Sequence, residues 1–151
     1  EHTPLTISRR ALREGLQTAA SATGLAGRWQ VLSQEPYTVC DTGHNEDGIR
    51  YVAEQLNNLE CDRLYAVMGF AREKELTKIL ALLPKKAHYI FTRANIERAR
   101  AIDDIATAAE QLGLEFETAP SVREAVARAR SMAHANDAIF IGGSNYVIAE
   151  I

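Results

Sequence analysis

Residues 39–49 read VCDTGHNEDGI, in which an acid, a glycine, a histidine and an amide fall within five consecutive positions behind an apolar pair. Asp41 is a carboxylate at the end of an apolar run, able to accept hydrogen bonds from a ribose diol or an ammonium group. Gly43 can take a positive φ or let a ligand or neighbouring backbone approach. His44 can donate to a phosphate or carboxylate, or transfer a proton near neutral pH. Asn45 can cap the helix that follows and leave its first amides aimed at an anion. Ordinary turn chemistry accounts for the same residues, with Asp41 and Asn45 satisfying backbone donors and His44 standing in solvent. Taken alone, the stretch leaves both readings open.

Other segments carry weaker signals. GGSN at 142–145 could cradle a carboxylate or phosphate in backbone amides, or simply make a tight turn. Arg28, after Gly27, could fork onto a phosphate or stack on an adenine; judged alone it reads as an exposed arginine at a strand edge. AREKE at 71–75 reads as a solvated first helical turn, from which Lys74 could reach a phosphate. His2, His88 and His134 have no partners in the sequence. There is no GxGxxG after the first strand, which argues against a dinucleotide site, and no GxxxxGK[ST] phosphate loop.

These residues need elements to hold them, and the chain alternates strands with helices. An opening helix carries Ile7, Ala11, Leu12 and Leu16 on one side before GLAG breaks the period. RWQVL and YTVCDT read as two strands. From Asn45, the residues Ile49, Val52, Ala53, Leu56 and Leu59 recur at helical spacing. RLYAVMG is a buried strand, and Leu76, Ile79, Leu80 and Leu83 give the next helix its inner face until Pro84 stops it. AHYIFT is a strand; Ile96, Ala99, Ile102, Ile105, Ala109 and Leu112 predict a helix closed by Gly113. LEFETA is the fifth strand, and Ser121 with Glu124 forms a capping box that opens a helix buried through Val122, Ala125, Val126 and Ala129. AIFIGGSNYVIAEI supplies the last strand, a glycine turn, and a closing strand or short helix.

The expected fold class is α/β: a three-layer, Rossmann-like, open and mostly parallel sheet with helices on both faces. Sheets of this kind bind ligands beyond the carboxyl ends of their strands. Asp41 to Asn45, Gly69, Thr92 with Arg93, and Gly142 to Asn145 all fall there.

Composition limits the partners. With 151 residues, 46% apolar and 25% charged, the chain is one globular domain able to bury a core without metals or disulfides. A net charge of -3 supplies no general field for nucleic acid or an acidic membrane surface. No apolar run approaches the ~20 residues of a membrane span. EHTPLTISRR lacks the basic-then-apolar order of a signal peptide. Cys40 and Cys61 form no CxxC, so a reduced, cytoplasmic setting is inferred. An opening on Glu1 rather than Met is expected of a piece of something longer.

Taken in order, GRWQVL, VCDTGHNEDGI, VMGFAREKE, YIFTRANIERA and IFIGGSNYVIAE resemble the carboxyl-terminal domain of the folylpolyglutamate synthase/dihydrofolate synthase family, a branch of the Mur ligase superfamily. That pattern runs approximately as GR-x-[EQ], a strand ending in D-G-A-H-N-P, a glycine followed by D-K-D, and a closing G-S-x-Y with a late acidic residue. Order and spacing agree from Gly27 to Glu150, with the GR-x-Q element thirteen residues ahead of the D-x-G-H-N element. Thr42-Gly43 stands for Gly-Ala, Glu46 for the proline, and Glu73-Lys74-Glu75 for D-K-D.

The resemblance implies an ATP-dependent ligase. A folate or dihydropteroate carboxylate takes the γ-phosphoryl group of ATP, and the amine of L-glutamate attacks the acyl phosphate. By resemblance, Arg28 and Asp41 contact the nucleotide, Lys74 assists there, and His44 and Ser144 lie toward the incoming glutamate. No residue of this chain is expected to ligate metal; Mg²⁺ would be held mainly by an N-terminal P-loop domain. Residues 1–26 are then the linker and opening helix arriving from that absent ATPase domain, packed beside the sheet, and 27–151 are the carboxyl-terminal domain itself. A Mur-type ligase for cell-wall precursors and a non-catalytic α/β ligand-binding module are the competing readings.

Overall fold

The computed structural model of the chain describes residues 6–151. The start of the expected linker, including His2, lies outside the described residues. β1 (Gln30–Gln34) and β2 (Tyr37–Asp41) pair antiparallel; β3 (Leu64–Met68), β4 (His88–Phe91), β5 (Glu115–Thr118) and β6 (Ala138–Gly142) continue the sheet in parallel with β2. The lateral order is β1-β2-β6-β3-β4-β5. After β5 the chain crosses back over β4 and β3 to lay β6 between β2 and β3. The strand order reverses there: the chain leaves β2 and β3 toward one face of the sheet and leaves β6, which lies between them, toward the other, so a crevice opens at their carboxyl ends.

Residues alternate between two cores, because successive side chains of a strand point to opposite faces. Val39, Met68, Tyr89, Phe91 and Phe140 pack under α2 (Glu46–Asn58), α3 (Leu76–Ala81) and α4 (Ile102–Gln111). Cys40, Val67, Ile90, Ile139 and Ile141 pack under α5 (Val122–Met132) and the short α6 (Asn145–Ile148). The central strands β3 and β6 are buried throughout, which is why LYAVM and AIFIG read as continuous apolar runs. The expected three layers are therefore present.

The predicted caps form. Asn45 Oδ1 accepts from the Gly48 amide at 2.8 Å and starts α2. Ser121 Oγ accepts from the Glu124 amide at 3.3 Å and donates to the Glu124 carboxylate at 2.9 Å. The chain end resolves to a short helix.

Three expectations change. AREKE at 71–75 is a non-helical turn, and α3 starts only after it, at Leu76. The fourth helix begins at Ile102, not Ile96, because Ala99 pairs as an antiparallel bridge with Ala71 and takes the segment out of helical geometry. The opening helix exists as α1 (Arg9–Thr23), capped by Ser8 and ended by Gly24, but it buries no residue. The other helices already cover both faces of the central strands, and α1 packs against neither. Leu12 and Leu16 stay 55% and 72% exposed.

Candidate functional site

A groove of about 340 Å³ opens at the carboxyl ends of the strands. His44, Glu73, Lys74, Arg98, Ser144 and Tyr146 line it, brought by the segments that follow β2, β3, β4 and β6. Three of the five residues expected at the site meet here: His44, Lys74 and Ser144.

His44 is oriented by its own loop. Its Nδ1 lies 2.9 Å from the Thr42 carbonyl oxygen. A carbonyl only accepts, so Nδ1 carries a proton and Nε2 is the ring nitrogen left to the groove. In the neutral ring Nε2 is an acceptor, suited to an ammonium or amine.

Ser144 reaches the groove through a glycine. Gly143 has φ +89°, and a Cβ there would come 2.8 Å from the Gly69 carbonyl oxygen, so only glycine lets the β6 exit pass the β3 exit this closely. Ser144 is buried, and its hydroxyl oxygen accepts from the Tyr146 amide at 3.0 Å. The hydroxyl proton remains available for donation.

Lys74 and Arg98 come from two loops zipped together. The Arg72 amide donates to the Arg98 carbonyl and the Arg100 amide to the Phe70 carbonyl, both at 2.9 Å. Arg100 adds its guanidinium to the Arg72 and Lys74 carbonyls, the latter at 2.8 Å. Lys74 is half-buried, and its ammonium joins no ion pair among the described residues. Arg98 bonds Glu73 through Nη2, and the Tyr146 side chain bonds it too. A bond from its own backbone amide, then the Arg98 guanidinium, hold Glu73 below the usual carboxylate range; the Glu73 bond raises Arg98 further.

Arg28 and Asp41 stand apart from this groove. Asp41 Oδ2 accepts from the Trp29 amide at 2.8 Å and Oδ1 from the Gly43 amide at 2.7 Å, in a site only 9% exposed. The carboxylate thus staples the loop 27–29 to the exit of β2 and holds Trp29 at a φ of +42°, an uncommon conformation for a bulky side chain. The Thr42 amide adds a 2.8 Å bond to the Gly27 carbonyl. Arg28, at the crest of that loop, is exposed and joins no ion pair among the described residues. Among the described residues, no three His, Cys, Asp or Glu side chains converge to hold a metal ion.

Sequence reasoning missed Arg98 and the loop clamp Arg100. Both sit in NIERARA, whose apolar spacing imitates a helix. The one local signal was an alternation of arginine and alanine at 98–101.

The sequence model of the family described as Mur ligase, glutamate ligase domain, matches residues 27–145. A relative from Haloferax volcanii, named a probable bifunctional folylpolyglutamate synthase/dihydropteroate synthase, is 32% identical over 145 residues; the match covers 95% of this chain and 17% of the relative. Among solved structures, the bifunctional folylpolyglutamate synthase/dihydrofolate synthase from Yersinia pestis complexed with AMPPNP and Mn superimposes with a TM-score of 0.83 at 26% identity, over 97% of this chain and 34% of that one. A bifunctional folylpolyglutamate synthase/dihydrofolate synthase with Mn, AMPPNP and L-glutamate bound gives the same TM-score of 0.83, identity of 26% and coverage of 97% and 34%. The chain therefore spans well under half the length of these relatives. Since the family match runs from the turn at Gly27 to the first residue of α6, enclosing the sheet and the groove loops up to that point, the chain belongs to the Mur ligase family as its glutamate ligase domain.

Proposed function

We propose that this domain is the carboxyl-terminal part of an ATP-dependent ligase that joins L-glutamate to a folate or dihydropteroate carboxylate. One observation carries the reading: the groove at the strand-order reversal gathers an imidazole acceptor, a serine donor and two cations, a set matched to an amine that also bears carboxylates. ATP supplies the phosphoryl group that turns the acceptor carboxylate into an acyl phosphate. His44 Nε2 accepts a hydrogen bond from the glutamate amine and takes its proton as the amide bond forms. Ser144 donates to the same amino acid, and Lys74 neutralises a carboxylate. Arg28, raised on the stapled loop, meets the phosphates, and Asp41 serves the nucleotide chiefly by fixing that loop. Mg²⁺ would be held mainly by the P-loop domain. Residues 1–26 connect the two domains, and the exposed stripe on α1 supports a neighbour that covers it.

The reading is tested on a chain that carries this domain together with its P-loop domain. Phosphate release is followed with L-glutamate and either dihydropteroate or tetrahydrofolate as acceptor. Release that requires both L-glutamate and one of these acceptors is expected. Release that ignores both, or a reading frame with no GxxxxGK[ST] ahead of this domain, overturns the proposal.

A further inference from the structure

The loop that lifts Arg28 is wound in a way its own residues resist. Gly27 has a φ of +72° and Trp29 one of +42°, so left-handed residues flank the arginine on both sides. A bulky side chain keeps that conformation only where its surroundings over-determine it. At the far side of Arg28, the Trp29 amide donates to Asp41 and the Trp29 ring centroid lies 6.2 Å from that of Phe140. At the near side, the Gly27 carbonyl accepts from the Thr42 amide at 2.8 Å. A Cβ on Gly27 would come 2.6 Å from Thr42 Cγ2, so the turn presses directly on the exit of β2.

The near side has one more group to satisfy. Gly27 is buried, and a buried amide left without an acceptor is costly. Gln30 supplies the acceptor. It is the first residue of β1 and stands opposite Cys40 of β2. From there its side chain folds back three residues, and Oε1 accepts from the Gly27 amide at 2.8 Å. A backbone amide only donates, so the oxygen and not the NH₂ of Gln30 must occupy this place. The Cys40 thiol approaches the same oxygen at 4.0 Å. We infer that Gln30 is a positioning residue for nucleotide binding: by closing residues 27–30 into a ring, it holds the Arg28 guanidinium where the phosphates of ATP are met. Gln30 fixes the start of the turn as Asp41 fixes its end, and the cation between them is ordered before its ligand arrives.

This inference rests on the proposed contact of Arg28 with the phosphates, and two measurements keep the two apart. Trp29 is the sole tryptophan of the 151-residue chain, so acrylamide quenching of its emission reports the loop without any substrate. Gln30→Leu has no acceptor and raises the quenching constant about two-fold, because the loop opens locally while the sheet stays folded. Gln30→Glu keeps an oxygen at the same reach and quenches as the unaltered chain does. Steady-state ligation is then measured on the full chain with its P-loop domain. Gln30→Leu raises the ATP KM about 10-fold and leaves kcat and the L-glutamate KM within about two-fold, whereas Gln30→Glu returns the ATP KM to within about three-fold of the unaltered value. Unchanged quenching in Gln30→Leu, or a Gln30→Glu loop as loose as that of Gln30→Leu, shows that the oxygen does not hold the turn and overturns the inference. A loosened loop with an unchanged ATP KM, or with ATP and L-glutamate KM raised alike, overturns the positioning of Arg28 although the ligase reading stands. If the unaltered full chain releases phosphate without regard to L-glutamate, the ligase reading fails while the quenching result still decides whether Gln30 holds the loop.

Discussion

Two ends of the same sheet carry the same kinds of charged residue and use them in opposite ways. At the amino ends of β4 and β5, His88 points its two ring nitrogens at Glu115 (2.9 Å) and Glu117 (3.4 Å), Arg63 bonds Glu115 at 2.7 Å, and Arg128 bonds Glu117 at 2.9 Å. Arg63 also lies over the Tyr65 ring, 5.5 Å from its centroid. Bonding capacity is met from within. At the carboxyl ends, His44 spends one nitrogen on a carbonyl and Lys74 has no counter-ion among the described residues, while Arg98 is bonded by Glu73 and Tyr146. A histidine beside arginines and glutamates therefore marks neither end as a site; unspent donors and acceptors around a groove mark one of them.

The two histidines break or uphold that contrast most sharply. His44→Ala is expected to lower glutamate ligation by about 10²–10³-fold with little change in Tm, because in the proposed reaction the lost group transfers a proton, and in the fold its ring bonds only its own loop. His88→Ala should do the reverse, leaving ligation intact and lowering Tm, since it abandons two carboxylates at the edge of the sheet. Equal rates for the two variants would erase the distinction between the ends. Parallel rate and melting measurements on both decide it.

Asp41 tests the contrast from within the site. It lies at the functional end but is satisfied like the opposite one, with both oxygens on backbone amides. Asp41→Ala should therefore cost stability as well as activity: two charge-assisted bonds in a buried position amount to roughly 3 kcal/mol. Under the proposed function, ligation falls as well, because Arg28 loses its fixed loop. A variant with normal Tm and a slow rate would show instead that the carboxylate acts on a ligand directly, as a ribose acceptor would.

What the sequence disclosed follows from how local each determinant is. The stripe Ile49–Val52–Ala53–Leu56, the Asn45 and Ser121 caps and the runs LYAVM and AIFIG are decided within a few residues, so α2, α5, β3 and β6 were legible. His44, Lys74 and Ser144 were legible because each follows a strand, where this architecture places ligands. Arg98 was not, since its position depends on the pairing of Ala99 with Ala71, 28 residues away, which no local period encodes. The opening helix shows the same limit. Its amphipathic face was readable, but what covers that face is a matter of the surrounding fold, and the other helices already cover both faces of the central strands.

The smallest effect concerns the saturated end. The bond from His88, with the charge of Arg63, holds the Glu115 carboxyl below its ordinary value of 4.5. A carboxylate with a depressed folded pKa favours the folded state fully above the unfolded value and loses that contribution as the pH falls through the folded one. The window thus lies below pH 4.5. Glu115 is 62% exposed at its side chain, so solvent and salt screen the effect, and it should shrink further at high ionic strength. Urea unfolding of the unaltered chain and of Glu115→Gln should show a modest stability gap at pH 7 that closes toward pH 3. A gap that persists unchanged to pH 3 would mean that the glutamate contributes by packing alone, and the amino-end cluster would then be a contact surface, not a set of mutually satisfied charges.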